Sequence, residues 1–108
     1  MSKTSEIKFS VTLDENQIPE KINWLATDAG MDKQLDSKAI MISVYDTDSE
    51  ETLRMDLWTK EMRVDEMKRF FHQTIISMAD TLQRATNEDK MAADMRDFGQ
   101  HFAREMFT

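Results

Sequence analysis

What the chain lacks excludes several classes of protein. There is no cysteine among its 108 residues, which excludes disulfide bonds, thiolate metal sites and cysteine nucleophiles. There is no excess of basic residues either, because the formal net charge is -7. A nucleic-acid binder normally needs a basic stripe to replace the counterions along the phosphates. The same negative charge argues against binding to an anionic membrane surface.

Long apolar segments are also missing. No apolar run approaches the roughly 18 residues of a membrane span, and residues 1–6 lack the apolar core of a signal peptide. We therefore expect a cytoplasmic protein with no membrane insertion. A hydrophobic content of 40% with 32% charged residues fits a soluble globular protein. The length predicts one domain, residues 1–108.

The first half of the chain carries strand patterns. In residues 7–13 apolar and polar side chains alternate with period two, as in a strand with one buried face. The single proline, Pro19, suits the start or edge of a strand because its missing N–H breaks no ladder bond there. Residues 27–38 contain Gly30 and several acids and are predicted to form the longest loop. The four predicted strands cover about residues 5–14, 20–27, 39–46 and 52–59.

The third and fourth predicted strands flank an acidic turn and are expected to pair as a hairpin. A connection of even length, with two or four loop residues, keeps the apolar positions of both strands on one face. The pairs expected on that face are Val44 with Leu53, Ile42 with Met55, and Ile40 with Leu57.

The second half of the chain carries helix patterns, with apolar residues at spacings of three and four. Two helices are predicted, at about residues 64–85 and 88–106. Thr86 and Asp89 have the form of a capping box that would begin the second helix. Ala92, Gly99 and Ala103 share one flank of that helix and would allow a close approach to its neighbour. Ile76 is predicted to lie opposite the core stripe, exposed to solvent.

This order of elements predicts an α+β fold. Strands followed by helices favour a four-stranded antiparallel sheet, followed by an antiparallel two-helix hairpin that covers one of its faces. The junction between the helices is too short for any other connection.

Two segments at the centre of the chain are distinctive, DLWTKEM at residues 56–62 and VDEMKRF at residues 64–70. They resemble the family of small proteins named GldC, associated with gliding motility in Bacteroidetes bacteria. Arg63 stands where the family pattern has proline. The resemblance implies a role in motility, and it brings no catalytic or binding residues with it. Further similar segments lie at residues 5–9, 13–16 and 19–22.

Two acidic features could bind cations. Residues 46–50 place oxygen ligands at alternating positions like the start of a calcium loop, but the glycine and the closing glutamate of such a loop are missing. A solvated hairpin turn is the better explanation. On the second helix, the side chains Asp94, Asp97, His101 and Glu105 share one face. That face is the basis of an alternative hypothesis, a metal-binding or acid–base enzyme.

The main functional hypothesis depends on apolar surface. The sheet face opposite the helices should present Leu25, Met41, Tyr45 and Trp58, and exposed aromatic and methionine side chains are typical of interfaces. We therefore expect a non-catalytic accessory protein without a cofactor. Its partners would be proteins of a motility or secretion assembly, or a second copy of itself.

Overall fold

A computed structural model describes residues 2–30 and 32–108. The chain forms two compact units, Met1–Met62 and Arg63–Thr108. The first unit contains strands and the second contains helices, so the predicted α+β class is confirmed. We refer to them as the strand unit and the helix unit.

The strand unit has five strands in two antiparallel sheets. In chain order they are β1 (Ile7–Leu13), β2 (Pro19–Ala26), β3 (Leu35–Ser37), β4 (Ala39–Tyr45) and β5 (Thr52–Trp58). The first sheet has the order β1-β2-β3 and the second pairs β4 with β5. The predicted single four-stranded sheet is therefore wrong.

Strand β3 explains this difference. It lies inside the predicted loop and pairs with β2, with Trp24 opposite Leu35 and Ile22 opposite Ser37. The edge of β2 that was available to the next long strand is therefore occupied. One residue later, after Lys38, the chain enters β4 in the other sheet. Three residues with a single apolar side chain show no alternation, so the sequence pattern did not reveal this strand.

The predicted register of the β4–β5 hairpin is confirmed. Val44 is opposite Leu53, and the pairs Ile42–Met55 and Ile40–Leu57 follow. The Asp46 N–H donates to the Glu51 carbonyl at 2.9 Å, which leaves residues 47–50 as a four-residue loop.

The interior of the strand unit is small. Ile22 is fully buried and Ile40 nearly so. Thr59, just after β5, is also buried, and its N–H and hydroxyl both donate to the Lys38 carbonyl, at 2.8 and 3.2 Å. The Lys60 N–H donates to the Pro19 carbonyl at 3.1 Å, so the end of β5 is bonded to the start of β2.

Both predicted helices are present, as α1 (Val64–Thr86) and α2 (Asp89–Met106). The Arg63 N–H donates to the Glu66 carboxylate at 3.0 Å, which satisfies a free amide at the start of α1. The end of α1 is closed by Asn87 in the left-handed conformation, φ 59°.

The predicted capping box of the second helix does not form. Thr86 is the last residue of α1, and its hydroxyl donates to the Leu82 carbonyl at 2.7 Å. The same oxygen accepts from the Glu88 N–H at 3.2 Å rather than from Asp89. The Thr86 hydroxyl is therefore bonded within α1, whereas the sequence pattern had assigned it to the start of α2.

The two helices form the predicted antiparallel hairpin. Gln83 donates to Asp89 at 3.0 Å near the connection, and Arg96 donates to Asp80 at 2.7 Å further along. Ala79, Ala92 and Gly99 are buried. A Cβ built at Gly99 would lie 2.5 Å from Ile76 Cδ1. Ile76 is therefore half-buried against α2, and its predicted exposed position is wrong.

Candidate interaction surface

The β4–β5 hairpin brings three of the four candidate interface residues to one face. Trp58 is opposite Ala39, and Met41 lies one pair further along the same face. Tyr45, opposite Thr52, is at the turn end of that face. Tyr45 is 68% exposed and Trp58 55%, whereas Met41 is half-buried.

Leu25 belongs to a different sheet. It lies on β2 opposite Lys8 and is half-buried. The structure therefore does not place it on the hairpin face, and the candidate surface there consists of Met41, Tyr45 and Trp58. The sequence pattern had assumed one continuous sheet.

An ion pair divides this hairpin face. Arg54 Nη2 lies 2.6 Å from Asp56 Oδ1. These residues are opposite Ser43 and Met41 respectively, between Tyr45 and Trp58. The aromatic side chains are therefore separated by a charged pair, and the face is a polar surface with an apolar group at each end.

The opposite face of the hairpin is apolar throughout, because it carries the six residues predicted to be core. Ile40 is buried, and Ile42 and Leu57 are half-buried. Val44, Leu53 and Met55 are each more than half exposed. Alternation predicted which side chains share this face, but it carried no signal for how far they would be buried. The hairpin therefore exposes large apolar groups on both faces.

The acidic turn of the hairpin is held by its own backbone. Asp46 Oδ2 accepts the Ser49 N–H at 2.9 Å, and this bond is the main cause that lowers the pKa of the Asp46 carboxyl. The Glu51 N–H donates to the Ser49 hydroxyl at 3.3 Å. These local bonds are those of an Asx-type turn and account for the oxygen-rich sequence without a bound cation.

The acidic and histidine face of α2 is exposed along its length. Asp94, Asp97, His101 and Glu105 all have exposed side chains. The His101 ring lies beside Phe98, with 6.0 Å between the ring centroids. Within residues 2–30 and 32–108, no three histidine or acidic side chains are grouped closely enough to hold a metal ion. The geometry therefore lends no support to the metal-binding alternative.

A groove that the sequence did not predict runs between α1 and α2. Its volume is about 360 Å³. It is open and mostly apolar, and it is lined by Ile75, Met78, Met91, Asp94, Met95 and Phe98. Apart from Asp94, its lining residues belong to the apolar helical stripes that periodicity assigned to the core. The helices contact each other through their small residues instead, which leaves part of these stripes exposed.

Neither helix in the described part of the chain has the length and apolar character needed to cross a membrane.

Comparison with known proteins identifies a family. Residues 19–108 match the family model described as gliding motility-associated protein GldC-like. This match includes the central segments at residues 56–62 and 64–70 that carried the resemblance. No curated protein and no solved structure matches the chain.

Proposed function

Since this chain belongs to the GldC-like family of gliding motility-associated proteins, we propose that it is a non-catalytic accessory protein of a motility or secretion assembly. It acts in the cytoplasm of a Bacteroidetes cell. It binds a protein component of the assembly through the β4–β5 hairpin, and Trp58 is the main contact residue.

The exposure of Trp58 is the observation that carries this proposal. More than half of this large side chain is accessible at the end of a hairpin face, beside Met41. Tryptophan and tyrosine are the residue types that most often dominate binding energy, since they bury a large area with little loss of conformational freedom. Tyr45, the other exposed aromatic of this face, would contact the partner nearer the turn.

Charge indicates the chemistry of the partner. Residues 46–51, which follow Tyr45, include four acidic side chains, and the chain as a whole has a formal net charge of -7. A complementary surface would have an apolar area opposite each of Trp58 and Tyr45, polar groups opposite the Arg54–Asp56 pair between them, and lysine and arginine beside the acidic turn. Such basic residues would speed association and make the rate of binding fall as salt concentration rises.

The placement of the side chains on which the enzyme alternative depends supports the non-catalytic assignment. His101 and its acidic neighbours stand exposed on the surface of one helix, whereas catalytic groups are usually held in a concave site that shifts their pKa values.

The test compares Trp58→Asp with Phe107→Asp in a strain that lacks this protein. Phe107 is also about half exposed, but it lies outside the hairpin and so provides a matched aromatic-to-charge control. We expect Trp58→Asp to fold normally and to weaken capture of its motility-assembly partner at least about tenfold. Gliding should fail with Trp58→Asp and recover with Phe107→Asp. A folded Trp58→Asp protein that restores gliding and partner capture would contradict the proposal.

A third variant distinguishes the two hairpin faces. Met55→Asp places a charge on the opposite, continuously apolar face. If Met55→Asp loses the partner and Trp58→Asp keeps it, Trp58 is not the contact residue and the proposed face is wrong.

A further inference from the structure

Strand β1 is the free edge of the three-stranded sheet. The sheet has the order β1-β2-β3, so β2 is the only strand paired with β1 in the described part of the chain. A free edge presents unpaired N–H and C=O groups that can join another strand. Lys8 is the only charged residue in β1, and no proline interrupts it.

The hydrogen bonds to β2 determine which groups point outward. The Thr27 N–H donates to the Glu6 carbonyl at 3.1 Å. In an antiparallel pair, bonded and non-bonded residue pairs alternate, so Lys8 and Ser10 also use their backbone groups toward β2. The amides and carbonyls of Ile7, Phe9 and Val11 therefore point to the open edge.

We infer that a second copy of this chain binds along this edge, with the two β1 strands antiparallel about a twofold axis at Ser10. In this register Phe9 of one copy is opposite Val11 of the other, and their outward backbone groups bond to each other. Ile7 is opposite Leu13. The two sheets become one continuous six-stranded sheet.

The side chains of β1 complement themselves in this arrangement. Apolar residues lie opposite apolar residues on one face, and Lys8 is opposite the Thr12 hydroxyl on the other, so the two positive charges stay apart. A slip by one residue would place Phe9 opposite Ser10 and mix the faces. Registers centred on Phe9 or Val11 keep the faces matched but pair five residues of each strand instead of all seven.

The charges just beyond the strand ends are compatible with this pairing. It brings Glu6 of one copy near Asp14 of the other. Asp14 already binds Lys60 Nζ at 2.9 Å, and this ammonium offsets the repulsion between the two carboxylates. The interface uses the edge of the first sheet, so it is separate from the proposed contact of the hairpin with a partner protein.

Engineered cysteines test the register directly, because the chain has none of its own. The two copies of Ser10 would form a non-hydrogen-bonded pair with Cα atoms about 4.5 Å apart, close enough for a disulfide. Ser10→Cys should therefore give a covalent dimer on mild oxidation, seen on a non-reducing gel and by mass spectrometry.

Two exposed positions on the same face supply matched variants. Lys8→Cys alone and Thr12→Cys alone should not cross-link, since each would be roughly 13 Å from its own copy. A mixture of the two should cross-link as a mixed dimer, because position 8 is opposite position 12. This mixture keeps the test decisive if Ser10→Cys disturbs the fold.

Charge changes at Thr12 give an independent measurement without cross-linking. Thr12→Glu faces Lys8 of the second copy and should tighten the dimer several-fold in analytical ultracentrifugation, while Thr12→Lys should weaken it by a similar factor. The proposal is overturned if the unmodified chain sediments as a monomer at every concentration. It is also overturned if Lys8→Cys or Thr12→Cys alone cross-links as well as Ser10→Cys.

Discussion

The strand unit and the helix unit bury different kinds of side chain. In the strand unit the fully buried apolar residue is a large one, Ile22. In the helix unit the buried residues are Ala79, Ala92 and Gly99. Strands approach through backbone hydrogen bonds, so their side chains are free to fill the space above and below the sheet. Helices approach through side chains, so the closest contact forms where those side chains are smallest.

Large apolar side chains remain exposed in both units, but for different reasons. Small residues bring α1 and α2 together, and the larger stripe residues Met78, Met91 and Phe98 remain more than half exposed. In the strand unit, hairpin pairing leaves Leu53 and Met55 similarly exposed. Added side-chain volume should therefore destabilise a contact made of small residues, whereas lost volume should destabilise a core made of a large residue.

The largest expected loss of stability is in the strand unit. Ile22→Ala removes a fully buried side chain and leaves a cavity, so it should lower the free energy of unfolding by about 2–5 kcal/mol in urea denaturation. Ile18→Ala is the matched control, because Ile18 is substantially exposed and should change stability by less than about 1 kcal/mol. Equal losses in the two variants would show that Ile22 does not form the core of the unit.

The helix unit should show the opposite sensitivity. Gly99→Val adds volume where even a Cβ would meet Ile76, so it should lower the free energy of unfolding by about 1–3 kcal/mol. Ala93→Val on the exposed side of α2 should cost only a few tenths of a kcal/mol in helix propensity. If both variants are equally stable in thermal denaturation, the helices do not depend on a close approach at Gly99.

The smallest expected effect is a change in the pH dependence of stability. It is tested at two ion pairs, one between residues far apart in the chain and one between near neighbours. A hydrogen bond from Lys60 is the main cause that lowers the pKa of Asp14 below its ordinary value of 3.8. A lowered folded-state pKa stabilises the fold above the unfolded-state pKa, and this stabilisation is lost as the pH falls through the folded-state value. Asp14→Asn should therefore lose less stability than the wild type between pH 7 and pH 3.

Asp65→Asn is the matched control for this measurement. Arg63 is the main cause that lowers the pKa of Asp65, but Arg63 is only two residues away and stays nearby in the unfolded chain. The pKa difference between folded and unfolded states is therefore smaller, and Asp65→Asn should change the pH dependence of stability less. The comparison is contradicted if Asp65→Asn flattens the pH profile more than Asp14→Asn.

Sequence patterns predicted the elements with strong periodicity. The β4–β5 register was predicted from alternation and an even connection, which keep Ile42 and Met55 on the same face, and the structure has these two residues opposite each other. Both helices and the small-residue flank of α2 were also predicted. Strand β3 was missed because its pairing with β2 depends on a distant partner rather than on its own composition.

The candidate site was predicted less completely. Trp58 and Tyr45 are exposed on one hairpin face. Leu25 was joined to them only by the assumption of one sheet, and the exposure of Leu53 and Met55 on the other face was not expected. Which side chains share a face is a local property of the chain, whereas their burial depends on what packs against that face.

The sequence alone determined the α+β class, the family, most element boundaries and the pairing of the hairpin. These follow from local periodicity and from a motif of consecutive residues. Only the tertiary structure decided that the strands form two sheets, that Ile76 packs against Gly99, and that β1 ends a sheet with a free edge. Each of these depends on contacts between residues far apart in the chain. The sequence pattern allows several arrangements of the sheets and helices equally well. Pairing of the short strand β3 with β2, and the missing Cβ at Gly99, select the one that forms.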